Sequence, residues 1–232
     1  MLPFGSSNTG GQGTGSDPRL FAYRKGLQDE LGVGSYDLVG DFTDPDTDDT
    51  YDVDHDGIGG QTTAELETRL PGELTQYMSQ YVSGDVVILD MGTNDSCLDS
   101  TEDREGARDN FEDMIDIVYA FNPNIKIIAT IAGPVKTATS SCIVAPAYAD
   151  VQTWHDITLT MLLAKQASVP TLYIYDLNAH VDSGDNGCGN GSNGDDCLFD
   201  TAHFTETGYY INGEWIAEAI LDCQESNYCY SL

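Results

Sequence analysis

The sequence predicts an α/β protein: a three-layer α/β/α sandwich built on a five-stranded parallel sheet. Three observations lead there. Short apolar runs alternate with longer amphipathic stretches along the chain. Two of those runs, within 85–91 and 126–131, are apolar at successive positions, as in strands covered on both faces. Apolar residues make up 40% of 232 residues, enough for a sizeable core and too many for a disordered chain. The length fits one domain spanning 1–232.

Taken in order, Met1 to Phe4 is the first strand, ending in a loop rich in Gly, Ser, Asn and Thr. Residues 18–32 form a helix with Leu20, Tyr23, Leu27 and Leu31 on one face. Tyr36 to Phe42 is the second strand, and the Asp- and Gly-rich stretch 43–60 is a loop. Thr62 or Thr63 caps a helix running through Leu70, and Pro71 starts another. Asp85 to Met91 is the third strand, Thr101 to Phe121 a helix, and Lys126 to Ile131 the fourth strand. A long helix covers Tyr148 to Ser168, and Thr171 to Leu177 is the fifth strand. A Gly/Asp-rich loop fills 182–197, and a last helix runs from about Thr205 to about Leu221.

Open parallel sheets bind ligands beyond the carboxyl ends of their strands. Four segments supply reactive side chains there. After strand one comes Gly5-Ser6-Ser7-Asn8-Thr9, a serine on a tight turn. After strand two the loop carries Gly57, Gly59 and Gly60, where a backbone N–H can face a ligand. After strand three comes Gly92-Thr93-Asn94-Asp95, whose Asn amide can donate to a developing oxyanion. Near the end stands Asp200-Thr201-Ala202-His203; a carboxylate at that spacing can orient the imidazole and stabilise its protonated form.

Charge and cysteine content narrow the setting. The net charge is −30 with a pI near 4.1. Such a surface repels phosphate backbones and anionic lipid, which excludes nucleic-acid and membrane-surface binding and favours neutral partners. No apolar run approaches the roughly 20 residues of a membrane span. The six cysteines, Cys97, Cys142, Cys188, Cys197, Cys223 and Cys229, include no C-x-x-C pair. They point to three disulfides in a secreted, extracellular protein rather than to zinc. Fifteen pairings exist in principle. Cys97–Cys142, Cys188–Cys197 and Cys223–Cys229 are favoured, the last two closing short loops. The opening Met1-Leu2-Pro3-Phe4 reads as the start of a mature secreted domain.

Together, in this order, the four segments resemble the SGNH (GDSL-type) hydrolases, named for Ser, Gly, Asn and His blocks. The resemblance covers essentially the whole chain. Within that family it leans to the family 3 carbohydrate esterases, which include acetylxylan esterases. Val86 to Asp95 is the most specific stretch; Tyr23-Arg24, Tyr36-Asp37-Leu38-Val39-Gly40 and residues 52–57 support it. The resemblance implies a flavodoxin-like sheet and a serine esterase with Ser7 as nucleophile, His203 as base and Asp200 as its orienting acid. It implies an oxyanion hole from Ser7, Gly60 and Asn94, and no cofactor for catalysis. The expected substrate is acetylated polysaccharide or small acetyl esters, acted on by a monomer. One departure stands out: the family's first block reads Gly-Asp-Ser, and here Ser6 replaces the Asp.

Other signals compete. Asp52-Val53-Asp54-His55-Asp56-Gly57 has the spacing of a calcium loop, but position 12 is Thr63 where an EF-hand needs Glu. The expectation is a structural Ca²⁺ held by Asp52, Asp54 and Asp56, which the resemblance strengthens. Asp182, Asp185, Asp195 and Asp196 are weaker candidates. His155, Trp154 and Trp215 fall on helices and read as packing residues, while His55 and His180 lie near enough to compete with His203. Asn190-Gly191-Ser192 is a better glycan acceptor than Asn94-Asp95-Ser96, where a glycan would block the oxyanion hole. Two other functions fit the same residues. One is a general short-chain esterase or lipase. The other is a non-catalytic, calcium-stabilised carbohydrate-binding protein in which Ser6 marks lost activity.

Overall fold

A computed structural model describes residues 1–11, 22–43, 50–80, 84–95, 100–131, 148–177 and 203–225. Strand β1 (Leu2–Gly5) lies inside the sheet. Helix α1 (Arg24–Leu31) follows, then β2 (Phe42–Thr43), β3 (Asp54–Gly57), α2 (Thr63–Tyr77) and β4 (Val86–Met91). Helix α3 (Thr101–Phe121), β5 (Lys126–Ile131), α4 (Tyr148–Gln166), β6 (Leu172–Asp176) and α5 (Glu206–Glu225) follow among the described residues. The strands lie in the order β2-β3-β1-β4-β5-β6, all pairs parallel except the antiparallel β2–β3 edge. Among the described residues six strands therefore stand where five were expected.

The difference sits beside β1. Tyr36 to Phe42 does not form one continuous strand; two pieces share that place. The Met1 ammonium donates to the Asp37 carbonyl at 2.6 Å, and the Val39 N–H donates to the Met1 carbonyl at 3.0 Å. Further along β1, β3 takes over, pairing Phe4 with Asp56 and Gly5 with Gly57. The pieces meet at Gly40, where a Cβ would stand 2.1 Å from the His55 carbonyl carbon, so a side chain would force them apart. Asp-His-Asp-Gly shows no apolar alternation, which is why 43–60 reads as loop. It holds as a strand because Asp56 is buried against β1 and paired with Arg69 of α2 at 2.5 Å.

Alternation along the central strands builds the three layers. Val86, Ile88, Ile128, Tyr173 and Tyr175 face a core shared with Tyr23 just before α1, Leu27 of α1, and Tyr209, Ile216 and Ile220 of α5. Leu2, Phe4, Val87, Leu89, Ile127 and Ala129 face the other way, onto α2, α3 and α4. Pro71 does not start a helix; α2 runs through it. Leu66, Leu70 and Leu74 form one fully buried stripe across it, and that burial offsets the roughly 3 kcal/mol an interior proline costs. Among the described residues no helix is long and apolar enough to cross a membrane.

Register aligns the strand ends. Gly5 pairs with Asp90, and Met91 with Ile131, which pairs with Asp176. The turns after β1, β3 and β4 therefore open on one edge of the sheet.

Candidate active site

The turn after β1 and the segment leading into α5 meet at one hydroxyl. Ser7 follows β1 and is only 3% exposed. The His203 Nε2 lies 3.0 Å from Ser7 Oγ, across 196 residues of sequence. An imidazole at that distance can take a hydroxyl proton, which a serine needs to become a useful nucleophile at neutral pH. Asp200, the expected orienting acid, lies outside the described residues.

The turn after β1 is held from below. The Ser6 N–H donates to the Asp90 carbonyl at 3.3 Å, and the Gly10 N–H to the Ser6 carbonyl at 3.1 Å. Thr9 Oγ1 donates to Asp90 Oδ2 at 3.0 Å, and Thr130 Oγ1 to Asp90 Oδ1 at 2.9 Å. Arg24, fully buried on α1, donates through a guanidinium N–H to the Thr9 carbonyl. Thr9 thus joins a buried carboxyl to a buried cation within two residues of Ser7. Burial pushes the Asp90 carboxyl above the usual carboxylate range, while the two threonine hydroxyls favour its charged form. The Ser6 hydroxyl is buried with no hydrogen-bond partner among the described residues.

Gly60 and Asn94 are drawn together by α2. Gly60 has a φ of +81° in the left-handed region, within a turn in which the Gln61 N–H donates to the Ile58 carbonyl at 3.4 Å. Asn94 Nδ2 donates to the Gln61 carbonyl at 2.7 Å. Asp95 accepts from the Thr63 N–H at 3.1 Å and from its hydroxyl at 2.9 Å, capping the start of α2. Burial pushes the Asp95 carboxyl up, and the Thr63 bonds oppose that shift. The turn after β4 and the glycine turn after β3 are therefore fastened to each other.

Sequence reasoning missed the residues that bind these turns into one unit. Tyr209 on α5 donates its hydroxyl to Asn8 Oδ1 at 3.1 Å, and Asn8 Nδ2 donates to Thr93 Oγ1 at 3.3 Å. Asp90 left a usable signal, an acid inside an otherwise apolar strand. Asn8 and Tyr209 left none.

The calcium expectation does not fit. Asp52 Oδ2 accepts from the Leu38 N–H at 2.7 Å and Oδ1 from the Asp54 N–H at 3.2 Å, and Asp56 is taken by Arg69. Asp54 and Asp56 belong to β3, not to a loop that wraps an ion. Among the described residues no three His, Cys, Asp or Glu side chains are grouped to hold a metal. His55 turns away from ligand duty, its Nδ1 accepting from the Gly57 N–H at 3.0 Å and its ring stacking on Phe42. Trp154 is fully buried, and His155 is held by Asp176 at 2.9 Å. His180, the 182–197 loop, Asn190 and five of the cysteines lie outside the described residues; the sixth, Cys223, is in α5, and its side chain is outside them too.

The profile of the GDSL-like Lipase/Acylhydrolase family matches residues 4–211, from β1 into α5. The chain belongs to this family. It is accordingly a hydrolase acting on esters. No curated protein matches the sequence. Among solved structures, a family 3 carbohydrate esterase from Clostridium thermocellum superposes with a TM-score of 0.70 at 21% identity, covering 97% of this chain and 96% of the other. One of the same carbohydrate esterase family from Talaromyces cellulolyticus gives 0.68 at 16% identity, covering 97% of each. A carbohydrate acetylesterase from Sinorhizobium meliloti gives 0.63 at 16% identity, covering 96% of this chain and 98% of the other. At such identities the likeness shows that this GDSL-like chain shares their fold.

Proposed function

We propose that the chain is a secreted, monomeric, single-domain serine esterase that removes acetyl groups from plant cell-wall polysaccharide such as acetylated xylan. The observation that carries the catalytic part is the 3.0 Å contact between His203 Nε2 and Ser7 Oγ. Ser7 attacks the ester carbonyl as His203 takes its proton, and Asp200 holds the ring in the productive tautomer. The backbone N–H groups of Ser7 and Gly60 and the Asn94 amide receive the tetrahedral oxyanion. An Asn amide carries two N–H groups; one serves the Gln61 carbonyl, and the second is the one this mechanism assigns to the oxyanion. Losing one such donor costs on the order of 10²–10³ in rate. The alcohol leaves with the proton from His203. Water, deprotonated by His203, then attacks the acyl-serine and releases the acid. These proton transfers require no cofactor.

Two observations support the acetylated polysaccharide. The solved structures above that share the fold are a family 3 carbohydrate esterase and a carbohydrate acetylesterase among others. The net charge of −30 disfavours anionic substrates and leaves neutral glycan esters acceptable. The test is acetate release from acetylated xylan, compared with hydrolysis of p-nitrophenyl esters of increasing acyl length. Preference for acetyl with release from xylan is expected. Equal or better turnover of long acyl chains, with none from xylan, would make it a general esterase.

A further inference from the structure

From the contacts of Asn8 we infer that this side chain is a positioning residue for the esterase site, locking the Ser7 turn, the Asn94 turn and the His203 segment into one geometry. This rests on the proposed roles of Ser7, Asn94 and His203. Asn8 directly follows Ser7, and Thr93 directly precedes Asn94. Phe204 directly follows His203, and its ring packs edge-on against Tyr209 at 5.5 Å between centroids. One amide therefore touches a residue fastened to each of the other two segments: Asn8 Oδ1 accepts from Tyr209 at 3.1 Å, and Asn8 Nδ2 donates to Thr93 at 3.3 Å. All three side chains are buried, at 4% exposure for Asn8, 1% for Tyr209 and 7% for Thr93, so water does not substitute readily for the amide.

The chemistry requires an amide here. The side chain must accept on one end and donate on the other, within a single rigid plane. Leucine has similar bulk and offers neither function, so it removes the bond that Tyr209 donates and the one that Thr93 accepts. The loss is then read in the relative placement of three turns. Displacement of a reacting group by about 1 Å can cost roughly 10²-fold in rate.

The test compares wild type, Asn8→Leu, Tyr209→Phe and the double variant on p-nitrophenyl acetate at 25 °C, with circular dichroism and thermal melting alongside. Ser7→Ala serves as the reference for the site itself. Asn8→Leu is expected to lower kcat by roughly 10²-fold with KM within about twofold. Tyr209→Phe, which keeps the ring on Phe204, is expected to lower kcat less. The double variant is expected to be no slower than Asn8→Leu, because both changes break the same tie. A folded Asn8→Leu protein with wild-type kcat and a lowered melting temperature would overturn the inference and leave the catalytic reading intact. If Asn8→Leu does not fold, Tyr209→Phe decides: wild-type kcat overturns the inference, and reduced kcat at unchanged KM supports it. Ester turnover that survives Ser7→Ala would overturn the catalytic reading first, and this inference with it.

Discussion

Gly5 shows how little room surrounds Ser7. A Cβ there would stand 2.1 Å from the Asp90 carbonyl oxygen and 2.4 Å from Thr9 Oγ1. Both atoms belong to the bonds that hold the turn, so neither can give way without loosening Ser7. Gly5→Ala is expected to destabilise the fold by roughly 1–3 kcal/mol and to lower ester turnover at temperatures where the variant is folded. Urea unfolding midpoints and kcat for the two proteins check this; unchanged values would contradict it. At this scale the sequence was informative about residues with distinctive neighbours. Gly5-Ser6-Ser7 and Gly92-Thr93-Asn94-Asp95 are local patterns and can be found as such. Tyr209, Asn8 and Thr93 meet across 201 and 85 residues through single hydrogen bonds, and no periodicity marks such contacts. Ser6 is legible as a departure from the family's Gly-Asp-Ser, yet only the structure shows its hydroxyl buried and unpartnered among the described residues.

Elements with a clear apolar rhythm were read to within a few residues. Helix α3 begins after Ser100, which caps it by accepting the Asp103 N–H at 3.1 Å, and its stripe of Phe111, Met114, Ile115 and Val118 is fully buried. β5 needs no more than its run of Ile and Ala residues. β3 and α2 were misread for opposite reasons: β3 is polar yet paired, and α2 contains a proline yet stays apolar along one stripe. The α4–β6 contact carries a pH prediction. The Asp176 carboxylate, hydrogen-bonded to His155, raises that imidazole above its ordinary value; Asp156 adds to the effect, and burial opposes it. A raised folded-state value means the protonated ring stabilises the fold. Its contribution is complete below about pH 6.5, the unfolded value, and is lost as pH rises through the higher folded value. His155→Gln is expected to lower the melting temperature most at pH 5.5–6, and the gap to wild type should narrow toward pH 9. A gap that widens with rising pH would contradict the pairing.

For the whole molecule, 39 acidic residues against nine basic ones make self-repulsion a standing cost that the core must offset. Disulfides would help carry it. The proposal of three bridges among Cys97, Cys142, Cys188, Cys197, Cys223 and Cys229 predicts no free thiol in the native protein, with each bridge contributing about 2–4 kcal/mol. Non-reducing peptide mapping checks it, and six free thiols would remove both the bridges and the argument for secretion. The three layers were visible in the alternation of apolar runs, and the two ends of the Ser7–His203 contact in two short segments. The joinery between them was not, because it is made of side chains that meet only once the sheet is assembled. Ser7 is the residue on which ester hydrolysis turns in the proposed mechanism. Incubation with a serine-directed phosphonate, followed by peptide mass spectrometry, should place the adduct on Ser7 alone. Ser7→Ala should abolish both labelling and p-nitrophenyl acetate turnover, while Ser6→Ala keeps substantial activity. An adduct on another residue, or near-normal turnover by Ser7→Ala, would contradict it.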